Sequence, residues 1–436
     1  MSKIKPRDRD TIVQALRAGV VPKLGLQHIQ VGRAREIGEL VKDIERISDD
    51  GSAIRFVIGE YGSGKTFFLN LIRTIALEKG LVVMSADLAP DRRIYASGGQ
   101  ARALYAEMAR NIATRTKPDG GAMTNIVERF VSQAHQEASQ QERKTGEIVR
   151  EKLKHFEDLT GGFEFANVVG KFWQGHESGD EDLKSAALRW LRAEFSTKSD
   201  ARRALGTQTI INDQNVYDQL KLMSAFVLAA GYKGLLVSLD EMVNLFKLTS
   251  SQARNANYEQ LLRILNDVLQ GSAANIGFLF GGTPEFLMNT RRGLYSYEAL
   301  QTRLSENSFA RDGLVDLSGP VIRLANLTQE DLFILLSNIR KVMQDIDHQV
   351  PDEALTAFMK HCSDRIGEAY FRTPRNTVTA FVNMLSVLEQ NPSASWSDLI
   401  EKIELEIDGG DDMSDIDDTL PSTSNSTDDE LSSFKL

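Results

Sequence analysis

The chain has 436 residues, enough for two or three domains around a sizeable core. Hydrophobic residues make up 42% and charged residues 26%, ordinary for a soluble globular protein, and no apolar run approaches the roughly 20 residues of a bilayer span. The net charge of −10 is uneven: ten acidic residues and one lysine between Glu406 and Leu436 carry −9, leaving −1 for the rest, which neither supports nor excludes nucleic-acid binding.

The single cysteine, Cys362, excludes an intrachain disulfide framework and favours a reducing, cytoplasmic setting. Met1–Asp10 is charged and lacks the apolar stretch of a signal peptide. The six histidines are scattered, with none paired at a metal-ligand spacing.

In chain order, Asp8–Gly19 reads as a short amphipathic helix with Ile12, Val13 and Leu16 on one face. Basic residues surround it, and two readings stand: an arm packed on the next domain, or a DNA-binding arm. Arg35–Ile47 is a second helix. Ile54–Ile58 is an apolar strand, followed by a Gly-rich loop and a helix from about Lys65 to Lys79, with Gly80 as its stop. Leu81–Ala86 is a second strand. Strand–helix–strand with short connections is a βαβ unit and implies a parallel sheet.

After Ala113 the alternation is lost, and a helix-rich stretch of about 114–206 reads as an insertion. It includes a charged helix over Gln140–Leu159 and an aromatic patch of Phe163, Phe165, Phe172 and Trp173. The patch is either the insertion's small core or a partner surface. The sheet resumes with Gly234–Leu239 and Ile276–Gly281, near-continuous apolar runs of the kind buried on both faces. Val321–Leu324 is a last short strand. Helices over Thr328–Asp345, Pro351–His361 and Arg375–Leu388 form an all-helical end, and Ser397–Ile403 is one more short helix. From Glu406 the Asp/Ser/Thr/Gly composition reads as a disordered acidic tail, either solubilising or a tethered peptide for a partner. The expected domains are an arm at 1–30, a sheet domain at 31–325, a helical lid at 326–405 and the tail at 406–436.

Gly59-Glu60-Tyr61-Gly62-Ser63-Gly64-Lys65-Thr66 fits G-x-x-x-x-G-K-[ST], a phosphate loop, with an apolar strand before it and a helix after. Glycines let successive backbone N–H groups turn inward toward an anion, and the helix aims its positive end at the same point. Lys65 adds a charge for the β- and γ-phosphates of ATP, and Thr66 an oxygen for Mg²⁺. Asp240, at the end of the buried run Leu235–Asp240, suits the metal side. Glu241 suits the base that orients or deprotonates the attacking water. No Asn-Lys-x-Asp base-reading motif points to GTP. Thr283, at the tip of the strand Ile276–Gly282, is placed to contact the γ-phosphate or to cap the next helix. Arg303 and Arg375 are placed either as transition-state cations or as solvated surface residues.

Together these elements resemble an AAA+ ATPase of the replication-initiator type: Val31-Gly32-Arg33 before the first helix, the two nucleotide motifs, a polar strand end, an arginine, then a helical lid opening on an arginine. The resemblance implies that Val31 and Gly32 lie by the adenine. It makes Thr283 and Arg375 the two sensors and Arg303 a finger offered to a neighbouring subunit of a ring. The stretch Val321–Leu332 looks like the sheet-to-lid junction of that group. Initiators continue into a DNA-binding winged helix, and little follows the lid here.

Phe280-Gly-Gly-Thr-Pro-Glu-Phe286, Arg292–Leu300, Tyr370-Phe-Arg-Thr-Pro-Arg375 and the ending Phe434-Lys-Leu436 resemble the ATP-binding protein family of BREX bacterial defence systems, and most of all the ATPase component of the Shango antiphage system. That resemblance implies an oligomeric ATPase in phage defence, working beside a helicase and a TerB-like protein, with nucleic acid left open as a partner. The alternative is an ATP-dependent switch or scaffold that assembles an effector without motor activity.

Overall fold

The computed structural model describes residues 4–310, 314–343 and 350–403. The acidic tail and Asp345, the expected end of a lid helix, lie outside the described residues.

Two helices precede the sheet, α1 (Pro6–Arg17) and α2 (Ala34–Ser48). β1 (Ser52–Ile58) leads through the phosphate loop into α3 (Lys65–Glu78), and Gly80 at φ +95° ends the connection to β2 (Val82–Asp87). α4 (Gln100–Arg110) follows. Next come α5 (Met123–Gln140), α6 (Thr145–Lys154), α7 (Gly162–Ser178), α8 (Glu181–Leu191), α9 (Lys198–Leu205) and α10 (Val216–Ala229). The charged helix expected over Gln140–Leu159 is a correction: Gln140 closes α5, and α6 starts only at Thr145. The chain turns between them at Glu142, which takes a positive φ of 53°.

β3 (Leu235–Asp240) is followed by α11 (Val243–Phe246) and α12 (Ser251–Leu269), then by β4 (Ile276–Gly282), α13 (Pro284–Met288), α14 (Glu298–Leu304) and β5 (Val321–Arg323). The C-terminal part expected as a lid holds α15 (Gln329–Val342), α16 (Asp352–Ile366), α17 (Ala369–Arg372), α18 (Arg375–Gln390) and α19 (Trp396–Ile400). Thr328 starts α15 through a capping box with Asp331.

The five strands run in the order β2-β3-β4-β1-β5, every pair parallel. Alternation along β1 divides its side chains between two layers. Ile54, Phe56 and Ile58 enter the larger core, whereas Ala53 and Val57 meet Leu40, Ile44 and Phe68 from α2 and α3. Both faces are covered, and β3 and β4 are buried at every position, Ser238 and Asp240 of β3 included.

The aromatic patch of the inserted helices divides. Phe165 and Phe172 are fully buried and Trp173 is partly so, in a cluster continuous with the sheet's larger face rather than in a small core of their own. Phe163 is 67% exposed. The lid has a separate core, into which α1 sends Ile12 and the segment before α2 sends Ile29. The N-terminal arm is therefore packed, and its partner is the lid.

Arg55 is the exception among the buried positions of β1. Its guanidinium pairs with Asp43 of α2 at 2.5 Å and donates to the carbonyls of Leu317 and Gly319, pinning the chain just before β5.

Candidate functional site

All strands being parallel, the ends of β1, β3 and β4 open on one edge, where ligands of such sheets bind. The phosphate loop crosses that edge. Gly62 (φ +79°) and Gly64 (φ +82°) supply the left-handed turns. The backbone N–H groups of Gly64, Lys65 and Thr66 meet no acceptor among the described residues. Three such donors at the start of α3 are free to take an anion as partner.

Lys65 donates from Nζ to the carbonyls of Gly59 and Glu60, at 2.8 Å each. Burial pulls its pKa below the usual lysine value, while Asp240, Glu241, Glu285 and Glu60 pull the other way. Ser63 is buried, and its Oγ has no partner.

Thr66 Oγ1 donates to Asp240 Oδ2 at 2.7 Å, joining the loop to β3 across 174 residues of sequence. The other oxygen, Oδ1, accepts the Glu241 N–H at 2.9 Å. Among the described residues no group of three or more His, Cys, Asp or Glu is arranged to hold a metal ion. A hydroxyl with one carboxylate fits Mg²⁺, which keeps several waters and takes phosphate oxygens as ligands. Glu241 follows with a backbone φ of +58°, a conformation that costs a non-glycine residue about 1 kcal/mol or more. Asp87 ends β2 in register with Asp240, and burial followed by the Asp240 charge raises its pKa.

Gly281 is a site residue to which the sequence assigned no role. It neighbours Asp240 so closely that a Cβ would fall 2.2 Å from Oδ1. Arg33 was likewise missed: it donates to the carbonyls of Ser63 (2.5 Å) and Ala325 (3.1 Å), tying loop to lid junction. Burial lowers its pKa. The sequence signal for Gly281 was its place in the strand-end pair Gly281-Gly282, and for Arg33 its place after Val31-Gly32; neither carries a contact by itself.

An apolar cavity of about 130 Å³ lies on the other side of the loop, lined by Val31, Ile37, Gly64, Phe67, Leu335 and Pro374 among others. Its walls come from the segment before α2, from α3 and from the lid. It suits a flat base. Gly32 is adjacent, at φ +62°.

The arginines separate. Arg375, first residue of α18, donates to Tyr61 Oη at 2.9 Å and lies over its ring, so it reaches the tip of the loop. Thr373 packs on Gly62, and Asn326 donates to Glu60 Oε2 at 2.8 Å. Arg303 is on α14 and bonds Asn266 of α12 and the carbonyl of Ala299, away from its own chain's loop contacts. Thr283 caps α13, its oxygen accepting from the Phe286 N–H at 3.3 Å.

No helix among the described residues is long and apolar enough to cross a membrane. No curated protein compared with the chain matches it. The family model described as BREX system ATP-binding protein BrxC/D matches residues 4–404. That match spans nearly the whole chain, and the chain belongs to the BREX system ATP-binding protein family.

Proposed function

We propose that this protein binds ATP with Mg²⁺ and hydrolyses it, as an oligomeric AAA+ ATPase in antiphage defence. The observation that carries the reading is the Thr66–Asp240 contact at 2.7 Å beside the orphaned amides of the loop. The loop amides and Lys65 bind the triphosphate, and the cavity by Val31 takes the adenine. Mg²⁺, when bound, supplies positive charge to the β- and γ-phosphates. Thr66 and Asp240 would hold it, Asp240 through water. Glu241 orients the attacking water and accepts its proton. Its strained backbone beside Asp240 supports a functional role. Thr283 and Arg375 respond to the γ-phosphate, and Arg303 serves a neighbouring subunit.

Strand order, the lid after β5 and the Arg375 contact on the loop support the AAA+ reading. Membership of the family supports defence as the setting. Likeness to the Shango ATPase, and with it a helicase and a TerB-like protein as partners, is the finer part of the proposal, as is a cytoplasmic site of action. The test is Glu241→Gln: the purified variant should bind an ATP analogue as wild type does and lose most turnover, and full turnover would remove Glu241 from its role.

The lid contacts favour a second reading. Thr373, Arg375 and Asn326 all rest on residues 60–62, so ATP arriving at the loop must alter how the lid is held. A switch that assembles an effector needs only that coupling. Steady-state turnover with and without DNA separates the readings: strong stimulation marks a motor, and none marks a switch.

A further inference from the structure

Between α1 and α2 the chain crosses the phosphate end of the nucleotide site. Gly19, at φ +67°, lies against the stem of Arg375, where a methyl group would sit 3.7 Å from Cγ and Cδ. Val20, Val21 and Lys23 then line a polar cavity of about 350 Å³ that they share with Thr66, Asp87 and Asp240. Gly25, at φ +75°, turns the chain back onto α1, and a methyl group there would fall 2.7 Å from Ile12 Cδ1. Ile29 and Val31 go on to line the base cavity. One short segment therefore rests on the lid arginine, faces Asp87 and Asp240 across a shared cavity, and lines the base pocket.

The two ends of this crossing are fastened. On one side α1 is held to α18 by Arg9–Glu389 at 2.6 Å and by the Thr379 hydroxyl, which donates to the Leu16 carbonyl at 3.0 Å. Arg7 pairs with Asp119, whose side chain lines the same polar cavity. On the other side Ile29 is buried in the lid core. The middle is not fastened: Val21, Pro22, Lys23 and Leu24 make no hydrogen bond among the described residues. Pro22 is buried and Lys23 exposed, so the span is held by packing and has no hydrogen bond to break on local opening. Lys23 places its charge by Asp87 and, through the cavity, near Thr66 and Asp240.

We propose that residues 18–25 form a strap that gates the phosphate end of the nucleotide site, with Lys23 as its charged latch. The strap closes when phosphate brings negative charge to the loop, and lifts to let product out. Its anchor on α18 makes lid position and strap position one movement, because α18 also carries Arg375 to the loop tip. The inference rests on the ATP-binding reading above.

The experiment uses the full chain. Release of a fluorescent ADP analogue is followed after rapid mixing with excess unlabelled ADP, for wild type, Lys23→Ala, Lys23→Glu and Arg9→Glu. Release should quicken by about fivefold or more in Lys23→Glu, and in the same direction for Lys23→Ala and for the loosened anchor Arg9→Glu. Hydrogen exchange adds a readout that needs no substitution: the amides of Val21, Lys23 and Leu24 should slow when a non-hydrolysable ATP analogue is added. Release within twofold of wild type in all three variants, with exchange unchanged by nucleotide, would overturn the strap. If wild type binds the analogues and the strap readouts stay flat, this inference alone falls. If wild type binds no nucleotide, the ATP reading falls with it.

Discussion

At the scale of single residues, the site is organised by how closely Asp240 is hemmed in. One carboxylate oxygen takes the Thr66 hydroxyl and the other the Glu241 amide. The space behind it exists only because position 281 lacks a side chain. In Gly281→Ala the new methyl group would meet Asp240 Oδ1 at 2.2 Å and Leu69 Cδ1 at 2.8 Å, so the carboxylate must move. We expect Mg²⁺-dependent ATP affinity to fall about tenfold or more, as when a metal ligand loses its support. Titration calorimetry with and without Mg²⁺ checks this; metal-independent binding should change less. Lys65→Ala should lower affinity in both conditions, since its partner is the phosphate itself.

At the scale of elements, the ends of the chain's strands are set by polar contacts as much as by apolar runs. Arg55 and Asp43, with side chains 5% and 4% exposed, form a buried pair that couples β1, α2 and the segment entering β5. Removing one partner leaves a buried charge uncompensated, at a cost of about 3–5 kcal/mol. Arg55→Met should therefore shift the urea midpoint far more than a surface Arg→Met change such as Arg203→Met, and a shift of equal size would contradict the pairing. The lid offers a smaller case. Thr328→Ala removes the capping box of α15 and should cost about 1 kcal/mol of stability by thermal or chemical melting. These elements hold the edge of the sheet that carries the loop, so β5 and the lid junction at Ala325 keep their place relative to Arg33.

At the scale of the whole molecule, the proposed nucleotide site draws on three separate stretches: the segment before α2, the sheet edge and the C-terminal helices. Arg303 stands apart from them. Its guanidinium is occupied by Asn266 and Ala299 of its own chain, and none of these contacts belongs to the phosphate loop. A role in hydrolysis then requires a second copy. Arg303→Ala protein should keep ATP affinity and lose turnover, by up to about 10³-fold if it acts as a finger. Mixing it with Lys65→Ala protein should restore part of the rate, because each chain supplies what the other lacks. No rescue, together with a monomeric particle in the presence of a non-hydrolysable ATP analogue, would count against a shared site.

The sequence by itself determined the strands, and where the glycine-rich loop and the acidic pair Asp240–Glu241 fall along them. Their signals are local: apolar runs that must be buried on both faces, and a glycine-lysine pattern that only a backbone anion nest requires. It also gave most helices to within a few residues, and erred at Gln140–Leu159, where a charged face continues across a turn that Glu142 makes by backbone conformation alone. Only the tertiary structure decided which distant groups meet. It brought Arg375 to Tyr61 and held Arg303 on Asn266 and Ala299, partners that neither arginine's neighbours in sequence name. It merged the inserted aromatics with the sheet core, turned the basic arm onto the lid, and made Gly281 a matter of fit to Asp240. The physical reason is the same in each case. Local patterning fixes how a segment hides its apolar side, whereas contact between segments depends on packing across tens to hundreds of residues, which no local pattern records.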